Sequence, residues 1–349
     1  MSQSSVKEVE RLLREAGIPD PRATARASAP PASPVRRFLR RLRRRVLVAL
    51  LCVALVVAGL LQWTTRTASE PLLPPGGAQI GPPHALDSRF GIVQAFEDPR
   101  AEQTVPIGWE RLVFWWKELQ PAGPNSWNAF ATNHDQQIDS ETRAGRKIVG
   151  LLINTPDWAA AVPSLHGVSP PSGLYLPYDD PRNYWGHFVG LMARRYAGRI
   201  DDWIIWNEVD IPNGHWHTWG GSTADYAQLV KVAYLAARAA NPHARIILAG
   251  DPYWYDHGAW FADLAQRLST SPGARAHGDY FDAVNLHLYS SPSEVIPIVT
   301  WYRKTMAHLG ISKPIWIAET NVTPYDDSTR TYPRGDLRAS LDDQASFIV

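Results

Sequence analysis

The chain has 349 residues, 45% of them hydrophobic and 15 of them tryptophan, which is enough apolar material for one large domain or two small ones. A single cysteine excludes a disulfide framework and cysteine-built metal sites. The net charge of +1 hides an asymmetry: residues 1–45 carry 12 Lys/Arg against 4 Asp/Glu, a net of +8, which leaves 23 against 30 and a net of −7 for the rest.

Residues 5–16 place Val6, Val9, Leu12, Leu13 and Ala16 at helical spacing, so a short amphipathic helix is expected there. A Pro- and Ala-rich linker follows. The run "RRFLRRLRRR" from Arg36 to Arg45 then abuts "VLVALLCVALVVAGLLQW", Val46 to Trp63, 18 residues without a charge. That length crosses a hydrocarbon core, and arginines packed against one end keep that end cytoplasmic. A nucleic-acid arm is the other reading of the basic run, but its position beside the apolar stretch explains it without nucleic acid. A cleaved signal peptide would carry its apolar core nearer the N-terminus. The expected arrangement is therefore a cytoplasmic basic tail (1–45), a transmembrane signal anchor (46–63), a Pro/Gly-rich spacer (64–88) and an extracytoplasmic domain (89–349).

From Arg89 short apolar runs alternate with longer helical patterns. The runs are "FGIVQAF", "RLVFWW", "KIVGLLIN", "DDWIIWNE", "ARIILAG", "FDAVNLHLY" and "KPIWIAE". Between the fourth and fifth, "TADYAQLVKVAYLAARAANP" is an amphipathic helix with Tyr226, Leu229, Val230 and Ala233 on one face. Strand–helix alternation with continuously apolar strands implies a parallel sheet covered by helices. Seven units without a phosphate-binding glycine fingerprint favour an α/β fold of the (β/α)8 TIM-barrel type over a doubly wound sheet. No eighth strand is visible after Glu319, only a loop and one more helix. Either the barrel continues beyond Val349 or it closes in an unusual way.

Active sites of such barrels gather at the carboxyl ends of the strands. The fourth strand ends in Asn207-Glu208 and the seventh in Glu319-Thr320-Asn321, so two glutamates reach one rim from strands far apart in sequence. Paired carboxylates flanking a sugar bond are what glycoside hydrolysis requires. Apolar neighbours such as Ile205 and Trp206 would keep an acid protonated near neutral pH. In the sixth strand Val284, Leu286 and Leu288 point to the helices, while Asn285, His287 and Tyr289 point into the barrel mouth. Singly, each of these residues also has a structural reading, as a loop cap or a core polar group. Agreement among three strands is what makes a site of them. Strict alternation would aim Asn207 and Glu208 to opposite faces, so a bulge is expected there.

The stretches "WIIWNEVD", "YAQLVKVAYLAARAANPHARIILAG", "HLY" and "PIWIAETN", with "RLVFWWKELQP" and "INTPDWA" before them, resemble retaining glycoside hydrolases of the large β/α-barrel clan, nearest its β-xylosidase-like and cellulase-like members. The resemblance covers about residues 89–325. It implies that Glu208 is the general acid/base and Glu319 the nucleophile, with Asn207 on the sugar 2-hydroxyl. It also implies that Tyr289 holds Glu319, with His287 nearby and Arg111 behind. The chain departs from the pattern at Val209-Asp210, where family members often carry Pro-Asn, and in the eighth strand, which usually supplies a tryptophan floor.

Tryptophans 115, 116, 158, 216, 219 and 254 fall at or just past strand ends, where an aromatic face can stack on a sugar. Trp116, Trp158 and Trp254 are the expected substrate contacts among them; Trp203 and Trp316, within strands, are expected in the core. No cofactor is implied and no metal is expected, His215 and His217 in "GHWHTW" being better read as cleft or packing residues. The partner implied is a β-linked saccharide. A membrane-anchored protein that binds saccharide without turning it over stands as the alternative.

Overall fold

The computed structural model describes residues 86–97, 105–128, 134–212, 217–289, 291–326 and 338–348. The expected helix at 5–16, the basic tail and the apolar stretch Val46–Trp63 lie outside them. Among the described residues no helix is long and apolar enough to cross a membrane.

All seven apolar runs form strands. They are β1 (Asp87–Val93), β2 (Ile107–Trp115), β3 (Lys147–Ile153), β4 (Asp202–Ile205), β5 (Arg245–Ile247), β6 (Val284–Leu288) and β7 (Ile315–Thr320). β1 begins two residues inside the stretch expected to be spacer. The helices are α1 (Trp116–Leu119), α2 (His134–Arg143), α3 (Tyr184–Arg195), α4 (Thr223–Ala240), α5 (Ala259–Thr270), α6 (Pro292–His308) and α7 (Leu341–Ile348). After β7 come two short paired strands, β8 (Thr323–Pro324) and β9 (Arg338–Ala339), and then α7. The sequence had suggested only a loop and a helix there.

The result is an α/β fold on a parallel sheet. β1 to β5 pair in chain order, all parallel, and β6 pairs with β7 in the same sense. Parallel bridges at Ile247–Ala283 and Asp251–Leu286 carry the order from β5 to β6. The sheet curls enough for β7 to meet β1. The inner faces of β2 and β7 also touch, through Trp109 set edge-on against Trp316 at 5.1 Å and, two residues further along β2, through Arg111 and Glu319.

Why these residues pack so is plain at the centre of the sheet. The indole of Trp203 on β4 lies across β3 at Gly150, where a Cβ would come within 2.4 Å of it. Phe114 and Tyr196 close around the same ring at 5.7 and 6.3 Å. Trp203 is thus core, as expected; Trp316 is only half-buried. α4 starts on a capping box, Ser222 and Asp225 each bonding the other's main-chain amide, which satisfies two donors the first turn leaves open. Its buried face includes Tyr226, Leu229, Val230 and Ala233, with four further residues beside them. Tyr226 also works as a strut: its hydroxyl donates to the Ile205 carbonyl and accepts from the Ala249 amide, both at 2.7 Å. That pins the end of β4, immediately before the candidate site, to the segment after β5.

Candidate active site

β4 stops at Ile205, and the chain then turns through two left-handed residues, Trp206 (φ 69°) and Glu208 (φ 43°). Non-glycine side chains pay for such conformations, so something must hold them. The Trp206 amide donates to Leu152 O at 2.9 Å, and its indole N–H donates to Thr218 O at 2.8 Å. The Thr218 hydroxyl donates to the Asn207 carbonyl and lies 3.2 Å from that of Glu208. Trp206 goes fully into the core against Trp185 and Trp219. With Trp206 as anchor, Glu208 is thrown into the cleft. These two left-handed turns, in place of the expected β4 bulge, turn the glutamate inward.

The bulge is in β7 instead. Leu286 pairs with Ile317 and His287 with Glu319, so Ala318 is the extra residue. Its amide donates to Asn285 Oδ1 at 3.1 Å, which relieves the one main-chain donor the bulge strands. Without that insertion Glu319 would share the face of Ile317; with it, Glu319 sits opposite His287. Asn285, read from sequence as a mouth residue, is fully buried and serves as the bulge's cap.

Three groups converge on the two glutamates. The Arg111 guanidinium donates through Nη2 to Glu319 Oε1, and the Tyr289 hydroxyl donates to Glu319 Oε2 at 2.6 Å. His287, fully buried, has Nδ1 at 2.9 Å from Glu208 Oε1 and 3.5 Å from Glu319 Oε2. Facing two carboxylates, Nδ1 is the nitrogen that carries the hydrogen. Arg111 is therefore in direct contact with Glu319, not behind it as expected, and His287 reaches both acids. One donor atom from each of Glu208, His287 and Glu319 lies within 4.8 Å of the other two. Such spacing would admit a cation, yet Arg111 already supplies the positive charge and Tyr289 takes the second Glu319 oxygen.

The two acids differ in their electrostatics. Burial opposes ionisation of Glu319, but His287, Arg111 and Tyr289 together outweigh it and hold the carboxyl below its usual range. The phenol of Tyr289 moves up, because it is buried and beside the Glu319 charge, so it stays a donor. Asn207 keeps a buried Oδ1 with no protein partner, an acceptor free for a ligand hydroxyl.

The aromatic expectations divide. Trp116 is wholly buried, stacked on Phe188 at 4.9 Å with its indole N–H donated to Gln120 Oε1; it has no face for a sugar, because the helix it opens turns it into the core. Trp158 leans edge-on against Trp116 and Tyr184 and donates to Gln120 O at 2.6 Å, so it offers no N–H and only part of a ring. Trp219 is buried. Trp254 stays exposed beside Tyr253 in the loop after β5, and Trp115 is exposed at the end of β2. Trp216 and His215 lie outside the described residues. His217 Nδ1 approaches the Ile211 carbonyl at 3.2 Å, a packing role.

One residue that sequence reasoning missed is Gly250. A Cβ there would fall 1.9 Å from His287 Nε2, so only glycine lets the ring lie flat behind the carboxylates. Gly250→Ala is expected to push His287 out of its bridge between the two carboxylates and to shift its ring NMR signals. Histidine signals left unmoved would contradict this.

No protein-family model and no curated protein matches the chain. Solved structures do. The chain is similar to a family 39 glycoside hydrolase from the gut symbiont Bacteroides cellulosilyticus WH2, with 15% identity, a TM-score of 0.46, and 62% of this chain and 44% of that one covered. It is similar to the xylanase XynB from Paenibacillus barcinonensis, with 15% identity, a TM-score of 0.46, and 70% and 72% covered. For the intracellular xylanase TsXylA from Thermoanaerobacterium saccharolyticum JW/SL-YS485 the values are 16%, 0.45, and 68% and 76%. The match spans less than half of the Bacteroides hydrolase, and 48% of a glucosidase from Croceicoccus marinus.

Proposed function

We propose that the protein is a retaining glycoside hydrolase acting on a β-linked oligo- or polysaccharide. The observation that carries this reading is that a carboxylate oxygen of Glu208 and one of Glu319 lie within 4.8 Å, with Arg111 and Tyr289 on one acid and His287 on both. Retaining enzymes hold their carboxyls about 5–5.5 Å apart, and inverting ones leave roughly 6.5–9.5 Å for a water. In the proposed mechanism Glu319, kept ionised by its neighbours, attacks the anomeric carbon. Glu208 gives its proton to the departing oxygen and then takes one from the water that releases the glycosyl-enzyme. Asn207 Oδ1 accepts from a sugar hydroxyl, and Trp254 offers an exposed aromatic face. We further propose that the parallel sheet is the body of a (β/α)8-type barrel. It would be held outside the cytoplasm by Val46–Trp63, with the basic tail inside and residues 64–88 as spacer.

The test uses the full chain on a panel of aryl β-glycosides, with the first-formed anomer read by NMR. The β-anomer supports retention; an α-anomer first would mean inversion. Saccharide binding without turnover would make the protein a binder and end the hydrolase reading.

A further inference from the structure

Among the described residues, no cation answers two carboxyl groups just behind the cleft. Asp210 lies two residues past Glu208, and Asp251 follows β5; they are 9% and 6% exposed. Neither oxygen of Asp210 finds a donor. Asp251 Oδ1 accepts from the Tyr253 amide at 2.7 Å, but its Oδ2 has none. The two carboxyls lie within hydrogen-bonding reach of each other, which two ionised groups cannot use.

The Tyr302 hydroxyl and the Tyr253 amide ease Asp251, but no cation does so among the described residues. The β4 loop brings Glu208, and the loop after β5 brings Asp256, whose oxygens accept from the Gly258 and Trp260 amides at the start of α5. From α6 comes the fully buried Tyr302, whose hydroxyl faces Asp251. From β6 comes only main chain, the His287 amide donating to Asp251 O at 3.0 Å. Among the described residues, every titratable side chain that acts on the pair is acidic. Burial is the first cause in both; the Asp251 charge adds to it at Asp210 and the Asp256 charge at Asp251, so both carboxyls lie above the usual carboxylate range.

We infer that Asp210 and Asp251 share one proton, and that this O–H···O bond fastens the Glu208 loop to the segment seating His287. The geometry gives the bond a task. Asp251 is tied on both sides to β6, its amide donating to Asn285 O at 3.2 Å and its carbonyl accepting from His287. Asp210 is tied to Glu208 by the chain itself. A proton between them therefore links the two partners of the Glu208–His287 contact through a second route. It is a positioning device, and its consequence for catalysis rests on the reading proposed above. The chain also departs from the family it resembles at this position: an asparagine would bring a permanent N–H donor, whereas Asp210 donates only while protonated.

The sign of the pH effect follows. A carboxyl pair whose pKa is raised by folding contributes fully in acid and loses its contribution as pH rises through the raised value. Stability and the alkaline limb of activity should therefore fall together.

Asp210→Asn and Asp251→Asn, each made in the full chain, test this. Either amide supplies the donor at every pH, so the fall in Tm from neutral to alkaline pH should flatten in both. The ratio of alkaline to neutral kcat/KM should rise by roughly tenfold, about one pK unit of displacement. Tm profiles parallel to the unsubstituted protein, or failure of both variants to fold, would overturn the shared proton. The Tm measurement does not need turnover. A protein inactive on every β-glycoside with flattened Tm profiles would lose the hydrolase reading and keep the shared proton.

Discussion

Glu319→Ala is expected to abolish turnover of aryl β-glycosides, by on the order of 10⁴-fold or more, the scale of losing a nucleophile. The fold should be weakened by roughly 3 kcal/mol, because the substitution leaves the buried Arg111 guanidinium without its carboxylate. Two signatures separate this role from that of Glu208. Azide added to Glu319→Ala can enter the vacated space and attack the anomeric carbon, giving the α-glycosyl azide. Added to Glu208→Ala it intercepts the glycosyl-enzyme from the opposite face and gives the β-azide. Glu208→Ala should also keep its first step on dinitrophenyl glycosides, whose leaving group needs no proton, while losing about 10²–10⁴-fold on poor leaving groups. If both variants behaved alike on both substrates, the assignment of distinct roles to the two acids would fall.

Arg111→Met is the second large effect, and it acts on stability as well as on rate. Arg111 and Glu319 form a pair whose side chains are only 10% and 14% exposed. Removing the guanidinium leaves a nearly buried carboxylate with Tyr289 and His287 alone, at a cost of roughly 3 kcal/mol in urea unfolding at neutral pH. The pH dependence has a definite sign. Glu319 titrates below its unfolded value of 4.5, so it stabilises the fold above that pH and loses the contribution as pH falls through the lower folded value. Without Arg111 the Glu319 pKa rises. The acid limb of kcat/KM should move to higher pH, and the acid slope of stability should flatten. An unmoved acid limb would mean that the guanidinium does not tune Glu319.

Both predictions rest on contacts of very unequal legibility. Strand-end position was enough to nominate Glu208 and Glu319, because a charge at the end of an apolar run has to leave the core somewhere. Tyr289 and His287 were readable from period-two alternation in β6. Arg111 was readable only by resemblance, since it belongs to β2 and meets Glu319 by the curl of the sheet. Gly250 carried no signal, and Asn285 was nominated for the mouth when its task is to cap the β7 bulge. The need for glycine exists only because a histidine from another strand lies against it, and the asparagine's task exists only because β7 is bulged. Trp116 misled for a related reason. One residue past a strand end, a side chain points to cleft or core according to the turn that follows, and here a short helix turned it inward.

Taken alone, the amino-acid order determined the alternation of seven apolar strands with amphipathic helices, the parallel sense of the sheet, and the rim where two carboxylates would emerge. These follow from period and burial, which are local properties of hydrophobic side chains. What only the tertiary structure decided was aim and company. Two left-handed residues after β4 and one extra residue in β7 turn Glu208 and Glu319 inward. The curl of the sheet brings Arg111 onto Glu319, and packing leaves Asp210 against Asp251 with no cation among the described residues. A bulge, a left-handed turn and an unpaired charge are each set by contacts between segments distant in sequence, so no local pattern announces them.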